Sequence, residues 1–212
     1  KILVVLGIML LIAGCVPSLH PLFTEKDLVF EPALVGTWVE EGGGATWTFQ
    51  KAEDEDYELV YAENKVPAKF GAHLLRLGKS LFLDIYPADT EIQEKIVPTF
   101  YQFHLIPTHT FLKVWIEGDV LHLGMLDYDW LKKMFDSKKV PIPHERLDDI
   151  DDPNIVLTAS TKALQKFVLK YAEDTEAFPM SDLYRQKDQQ ESSIDTETQR
   201  ENAKNTAKPM EK

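Results

Sequence analysis

The sequence predicts a mainly β protein: a single antiparallel eight-stranded barrel with a C-terminal helix packed on it. Eight short segments with the period-two alternation of strands follow one another between residues 34 and 125. Turn residues separate them at the short spacing typical of barrels and sandwiches. With 212 residues, of which 44% are hydrophobic, the chain has enough apolar material for one substantial core.

The first fifteen residues are typical of an exported precursor. Residues 2–12 are almost entirely apolar and follow Lys1. A helix of that length covers roughly 16 Å, about half of the ~30 Å hydrocarbon core, so the run fits a signal peptide better than a membrane span. It ends in Leu11-Ile12-Ala13-Gly14-Cys15, which resembles the lipobox of bacterial lipoproteins. The resemblance implies a signal peptide of residues 1–14, cleavage between Gly14 and Cys15, and lipidation of Cys15.

A lipidated Cys15 would carry two or three acyl chains, which is enough for stable attachment to a membrane. Position 16 is Val rather than Asp. By analogy with sorting in Gram-negative bacteria, this favours the outer membrane, with the protein facing the periplasm. Residues 15–27 are predicted to be a lipidated tether that contains two prolines and reaches about 40 Å at most.

The barrel domain is predicted to span residues 28–178. Its candidate strands are Leu34–Glu40, Ala45–Lys51, Asp56–Glu63, Ala68–Leu77, Leu81–Tyr86, Thr99–Ile106, His109–Glu117 and Val120–Met125. Tight turns at Ile106-Pro107 and Gly118-Asp119 would give the last three strands one apolar face, which includes Phe103, Leu105, Leu112, Val114, Leu121 and Leu123. A sheet with one buried side is what an antiparallel barrel requires.

The pattern changes after residue 125. A short helix is predicted over Tyr128–Phe135, an irregular acidic loop over Pro141–Pro153, and a short ninth strand at Ile155–Leu157. Thr158 or Ser160 is expected to cap a helix from about Thr161 to Ala172, because its apolar residues repeat every three or four positions. Residues 179–212 are polar and mixed in charge, so they are predicted to form a disordered tail.

The segment Gly36-Thr37-Trp38 opens the first strand just after Pro32 and resembles the Gly-x-Trp signature at the start of lipocalin barrels. The resemblance implies that Trp38 plugs a closed end and that the barrel holds a ligand cavity. In that family an arginine near the end of the eighth strand stacks on the tryptophan. Near the end of Val120–Met125 the sequence offers only Lys132 and Lys133, so no such arginine is expected.

Aromatic side chains are the candidate pocket residues, with a filled core as the other interpretation. They are Trp38, Trp47, Phe49, Tyr57, Tyr61, Phe70 and Phe82. A barrel of eight strands is small enough for side chains alone to fill it.

Other chemistries are weakly represented. In the predicted register His104, His109 and His122 cannot converge on one metal, so they are interpreted as surface residues. Asp148, Asp149, Asp151 and Asp152 lack the spacing of an EF-hand and are interpreted as a solvated loop. The sequence has no recognisable nucleophile, phosphate loop or zinc motif. Neither an enzyme nor a cofactor is therefore expected, and a net charge of -12 argues against nucleic acid.

The leading hypothesis is a lipid-anchored module that binds or carries a small apolar ligand or a lipid. The alternative is a structural or assembly lipoprotein whose barrel surface contacts another envelope protein. A contiguous apolar cavity above ~300 Å³ would favour the first hypothesis. A filled interior with an exposed apolar patch would favour the second.

Overall fold

The computed structural model of the chain describes residues 16–53, 56–88, 105–139, 141–147 and 155–187. Several sequence predictions lie outside these ranges: the signal peptide, Cys15, His104, the aspartates of residues 148–152, and residues 99–104 of the predicted sixth strand. Among the described helices, none has both the length and the apolar character needed to cross a bilayer.

Ten strands and two α-helices make up the described fold. The strands are β1 Gly36–Glu40, β2 Thr46–Lys51, β3 Tyr57–Glu63, β4 Val66–Leu77, β5 Ser80–Pro87, β6 Thr110–Glu117, β7 Val120–Met125, β8 His144–Arg146, β9 Ile155–Leu157 and β10 Met180–Arg185. The helices are α1 Tyr128–Asp136 and α2 Thr161–Tyr171.

Eight of these strands form a closed antiparallel barrel in the order β1-β10-β7-β6-β5-β4-β3-β2, with β2 pairing with β1. The predicted fold class is therefore confirmed. The predicted register across the turn at residues 118 and 119 is also correct, because Trp115 pairs with His122 and Ile116 pairs with Leu121.

The identity of the eighth barrel strand differs from the prediction. Leu83 of β5 pairs directly with Leu112 of β6, so the two strands are neighbours in the barrel and the predicted sixth strand does not separate them. Leu105 and Ile106 are outside any strand and are 52% and 74% exposed. The barrel is closed instead by β10, which lies within the predicted tail. The tail boundary at residue 179 is therefore wrong for Met180–Arg185.

The end of the barrel that contains the start of β1 is closed. A short 3-10 helix, Pro32–Leu34, precedes β1, and the buried Trp38 donates its indole N–H to the carbonyl of Leu34 at 2.8 Å. Arg185, at the end of β10, lies over the Trp38 ring. The prediction that no arginine stacks on Trp38 is thus wrong, because the true eighth strand was not recognised.

The chain buries apolar side chains on both sides of the barrel wall. Leu74, Leu83 and Leu112 point inward and belong to the interior core. Their neighbours in sequence point outward into a second core, beneath the helices, that includes Leu75, Phe82 and Phe111. This alternation is the period-two geometry of a strand, and it explains why β4, β5 and β6 have near-continuous apolar runs.

The second core is covered by the two helices and by a two-stranded sheet. The Asp127 carboxylate accepts a hydrogen bond from Trp130 N–H and caps α1. Helix α2 buries Leu164, Phe167 and Val168, which confirms that its apolar face packs on the barrel. Ser160 is the N-cap residue of α2 but makes no side-chain capping bond. The predicted strand Ile155–Leu157 is present as β9. It pairs with β8, which the sequence had assigned to an irregular loop.

Residues 16–27 are not a free tether. Val16 and Leu22 are buried at 3% and 0% exposure, and Ser18 exchanges backbone hydrogen bonds with His109. The segment continues into a 3-10 helix, Glu25–Asp27. Its backbone also forms hydrogen bonds with Leu157 of β9, and its side chains Val16, Leu22 and Phe23 join the second core. The tether prediction is therefore wrong for the described residues 16–27, which form part of the fold.

Two polar side chains outside this segment, Gln165 of α2 and Asp84 of β5, hold it in place. Burial alone would raise the pKa of Asp27, but hydrogen bonds from Thr24 and Gln165 outweigh burial and lower it. Gln165 of α2 also donates to the carbonyl of Leu22 at 2.9 Å. Asp84 of β5 is fully buried and accepts a hydrogen bond from Leu22 N–H at 2.6 Å. The segment is thus held to both the helix and the barrel wall.

Candidate functional site: a cavity at the open end of the barrel

A cavity of about 250 Å³ lies inside the barrel. It is located at the end opposite Trp38, where β1, β3, β5 and β7 finish and where β2, β4 and β6 start. Its wall consists of Glu40, Trp47, Leu59, Tyr61, Glu63, Phe70, Ile85, Thr110, Leu112 and Met125. The volume is below the ~300 Å³ at which ligand pockets usually begin. It exceeds the roughly 150 Å³ of an engineered apolar cavity that binds benzene.

Three aromatic side chains form much of the cavity wall. Trp47, Tyr61 and Phe70 lie on the neighbouring strands β2, β3 and β4. The rings of Trp47 and Tyr61 meet edge to face with their centroids 5.1 Å apart. Leu59 and Leu112 form part of the deeper wall. The surface offered to a ligand is therefore mostly apolar and aromatic, which suits a small hydrophobic molecule.

The indole N–H of Trp47 is a polar group in this apolar wall. It is buried and has no hydrogen-bond partner among the described residues. Leaving a buried donor unsatisfied costs about 1–3 kcal/mol. An acceptor atom on a bound molecule would satisfy the indole N–H.

Glu40 and Glu63 are the two carboxylic acids in the wall. Burial raises the pKa of Glu40, and the negative charge of Glu63 raises it further, while a hydrogen bond from the backbone of Ala45 acts in the opposite direction. The Glu40 carboxylate lies directly against Gly44, so a Cβ at position 44 would overlap its Oε2 atom. The cavity thus combines an apolar wall with two carboxylic acids that influence each other.

The seven predicted pocket or core residues are distributed over three places. Trp47, Tyr61 and Phe70 line the cavity. Trp38, Phe49 and Tyr57 are buried deeper in the interior core and fill the closed part of the barrel. Phe82 points outward into the second core, where it meets Phe178, so it belongs to the core but not to the pocket.

Sequence reasoning missed Glu40 and Glu63 as cavity residues. The signal was present in the strand register, because Glu40 follows the inward-facing Trp38 by two positions and Glu63 follows Tyr61 by two. An acidic residue at the end of a strand ordinarily faces solvent. Only the closed barrel shows that these two line a cavity.

The histidines that the sequence placed on the surface are instead paired and mostly covered. His109 Nδ1 lies 2.7 Å from Oδ1 of Asp84, and His122 Nδ1 lies 2.6 Å from Oδ1 of Asp182. Their side chains are only 13% and 15% exposed, so the surface interpretation is wrong for both. Among the described residues, no three His, Cys, Asp or Glu side chains come together in a way that could hold a metal ion.

Comparison of the chain with protein-family models, with curated proteins and with solved structures gave no match.

Proposed function

We propose that this chain is a membrane-anchored bacterial lipoprotein whose lipocalin-like barrel binds a small apolar ligand. The observation that carries the binding function is the cavity at the open end, with its wall of Trp47, Tyr61 and Phe70. The indole N–H of Trp47 also supports the binding function. Buried donors are nearly always hydrogen-bonded in folded proteins, and this one has no partner among the described residues. A volume of about 250 Å³ suits a molecule somewhat larger than benzene, or one end of a longer one.

The closed end supports the lipocalin resemblance. In that family a Gly-x-Trp segment opens the first strand and an arginine from the last strand stacks on the tryptophan. Gly36, Trp38 and Arg185 occupy these positions here. Gly36 has φ of +131°, and a side chain there would overlap the Arg185 guanidinium. Gly36 therefore leaves room for the Arg185 guanidinium, and Trp38 provides the ring on which that guanidinium stacks.

The anchor part of the proposal rests on the lipobox-like segment ending at Cys15. Val16, the next residue, is buried against the fold. A lipid on Cys15 would therefore hold the barrel directly at the membrane, without the long flexible tether that the sequence suggested. The proposed location is the outer membrane, facing the periplasm.

The anchor is tested with Cys15→Ser in the chain expressed with its signal peptide in a Gram-negative host. We expect the wild type in the membrane fraction, with an intact mass that includes acyl chains and starts at residue 15. The variant should be soluble or should retain the uncleaved segment. Equal membrane association of both forms, with an unmodified thiol in the wild type, would end the lipoprotein interpretation.

Ligand binding is tested by native mass spectrometry of the purified barrel, with Thr110→Phe as the variant. Thr110 lines the cavity, so a phenylalanine there fills the space that a ligand would occupy. Thr46 alternates with the inward-facing Trp47 and faces away from the cavity, so Thr46→Phe is the matched control. We expect a co-purified or added apolar molecule on the wild type and on the control, and a loss of binding by about tenfold or more in Thr110→Phe. If no apolar molecule binds the wild type, the proposal fails and docking on another envelope protein becomes the better hypothesis.

A further inference from the structure

We propose that the cavity selects a small organic cation: a molecule with an apolar body and an ammonium group held between Glu40 and Glu63. This inference rests on the proposed ligand-binding function and names the chemical class of its ligand. It is carried by the placement of two carboxylates in an aromatic cavity.

The two glutamates lie in one row across three strands. Val39 of β1 pairs with Thr46 of β2, and Thr46 pairs with Ala62 of β3. One residue further along, this register places Glu40, Ala45 and Glu63 side by side. Since neighbouring strands are about 4.8 Å apart, the backbones of the two glutamates are roughly 10 Å apart, with only the small side chain of Ala45 between them. The gap is wide enough for an ammonium group to contact both carboxylates.

Among the residues that the structure describes, neither carboxylate is paired with a basic side chain. In the described ranges, no lysine or arginine side chain forms an ion pair with Glu40 or Glu63. Burial raises the pKa of Glu40 and the charge of Glu63 raises it further, as expected for two carboxylates that share one cavity wall. A positive charge bound between them would relieve both effects.

The rest of the wall favours an organic cation over a metal ion. Ca²⁺ takes six to eight oxygen ligands and Mg²⁺ requires a near-octahedral set, whereas the other side chains of the wall are mainly aromatic and aliphatic. The faces of Trp and Tyr rings attract cations, and quaternary ammonium groups are commonly bound by such aromatic groups. Trp47 lies two residues after Ala45, which directly precedes β2, and Tyr61 lies two residues before Glu63 on β3, so both rings are one alternation deeper in the barrel. The carboxylates therefore lie near the mouth of the cavity and the aromatic rings lie deeper. This arrangement suits a molecule with one positively charged end and one apolar end.

The ligand class is tested with three probes that share one phenyl-alkyl body and differ in charge: phenethylammonium, phenethyl alcohol and hydrocinnamate. Their affinities for the purified barrel are measured at neutral pH by calorimetry or by chemical-shift titration. We expect the cation to bind at least about tenfold more tightly than the neutral alcohol and the anion to bind most weakly, because only the cation can form charge-assisted hydrogen bonds with the carboxylates.

Variants assign the preference to the two carboxylates. Glu40→Gln combined with Glu63→Gln should reduce the affinity for phenethylammonium about tenfold and leave phenethyl alcohol within twofold. Gly44→Ala keeps both charges but displaces the Glu40 carboxylate, whose Oε2 occupies the place of the new methyl group. It should also weaken cation binding. Glu41, the next residue after Glu40, is exposed and outside the cavity wall, so Glu41→Gln is the control for net charge and should behave as the wild type.

The outcomes separate this inference from the function on which it rests. Tight binding of the neutral alcohol with no effect of the Glu40 and Glu63 changes would overturn the cation preference and keep the apolar cavity. If none of the three probes bound, both would fail. Binding of Ca²⁺ alone, lost in the double variant, would assign the carboxylates to a metal and overturn the inference.

Discussion

The guanidinium carbon of Arg185 lies 4.1 Å from the centre of the Trp38 ring. Arg185 belongs to the last barrel strand and Trp38 to the first, and the same guanidinium donates hydrogen bonds to the carbonyls of Ala33 and Val35. A planar, permanently charged group can stack on a ring and donate to two acceptors at once. One side chain therefore closes the barrel seam, covers Trp38 and satisfies the backbone that leads into β1.

Arg185→Lys should destabilise the barrel although the positive charge is kept. Lysine cannot reproduce the planar stacking or the fork of donors, so the free energy of unfolding should fall by about 1–3 kcal/mol. Urea denaturation followed by tryptophan fluorescence measures the change. Arg146→Lys is the matched control, because Arg146 forms a partly exposed ion pair with Asp136 and should change stability by less than about 1 kcal/mol. Equal effects at both positions would contradict a special role for Arg185.

Trp38→Ala should be among the most damaging single changes in the barrel. Trp38 has no exposed surface, and its removal leaves a large cavity and frees the carbonyl of Leu34. We expect a loss of about 3–5 kcal/mol in the free energy of unfolding, seen as a lower melting temperature by circular dichroism. Trp115→Ala provides the control, since Trp115 is 41% exposed on the outer face and should cost about 1 kcal/mol or less. A wild-type melting temperature for Trp38→Ala would contradict the closed end described above.

The sequence predicted the strands with strong alternation and missed the one without it. β10 has the sequence MSDLYR, in which Leu183 is the buried residue. Its remaining side chains are polar, long or only partly covered, so no local pattern separates it from the polar tail. The strand forms because β1 and β7 both present unpaired edges to it. This pairing is a property of the closed barrel rather than of the six residues.

The apolar runs were identified correctly, but their partners were not. The apolar residues Val16, Leu19, Leu22 and Phe23 have no regular period and alternate with prolines and polar residues, which is typical of a linker. Val16 and Leu22 are buried because the outer faces of β5 and β6 offer Phe82 and Phe111. The sequence had suggested Phe82 as a pocket or core residue and gave no sign that it would cover this segment. Likewise, Glu63 was predicted only as the last residue of a strand, because nothing local shows that this end of the barrel encloses a cavity. Contacts between distant segments carry the information that the local pattern lacks.

Asp84→Asn should loosen the segment of residues 16–27. The Asp84 carboxylate is fully buried and receives Leu22 N–H on one oxygen, while its other oxygen lies beside His109 Nδ1. The asparagine side chain has the same shape but only one oxygen, so it can no longer serve as an acceptor for both Leu22 N–H and His109. We therefore expect the free energy of unfolding to fall by about 2 kcal/mol. Hydrogen exchange should be faster at the Leu22 amide in particular.

Asp182→Asn is the control for this change. Asp182 also lies beside a histidine, His122, but its side chain is 46% exposed and it lies on β10 rather than on β5, whose Asp84 accepts the Leu22 N–H. It should leave exchange at Leu22 unchanged. If both variants accelerated that amide equally, the docking of the segment would not depend on Asp84.

Glu40→Gln should stabilise the fold at neutral pH and leave it unchanged in acid. The pKa of Glu40 is raised in the folded protein above its ordinary value of 4.5, first by burial and then by the charge of Glu63. The folded state therefore holds the proton more tightly than the unfolded state, so the contribution of Glu40 to stability is greatest below pH 4.5 and is lost as the pH rises through the raised pKa. Glutamine can still accept from the backbone of Ala45 and carries no charge at any pH. Urea denaturation of both proteins from neutral to acidic pH should show the variant to be more stable at neutral pH, with the two curves converging in acid. Glu41→Gln, at an exposed position, should have the stability of the wild type at every pH. A constant difference in the free energy of unfolding between Glu40→Gln and the wild type at every pH would show that the change acts through packing rather than through charge.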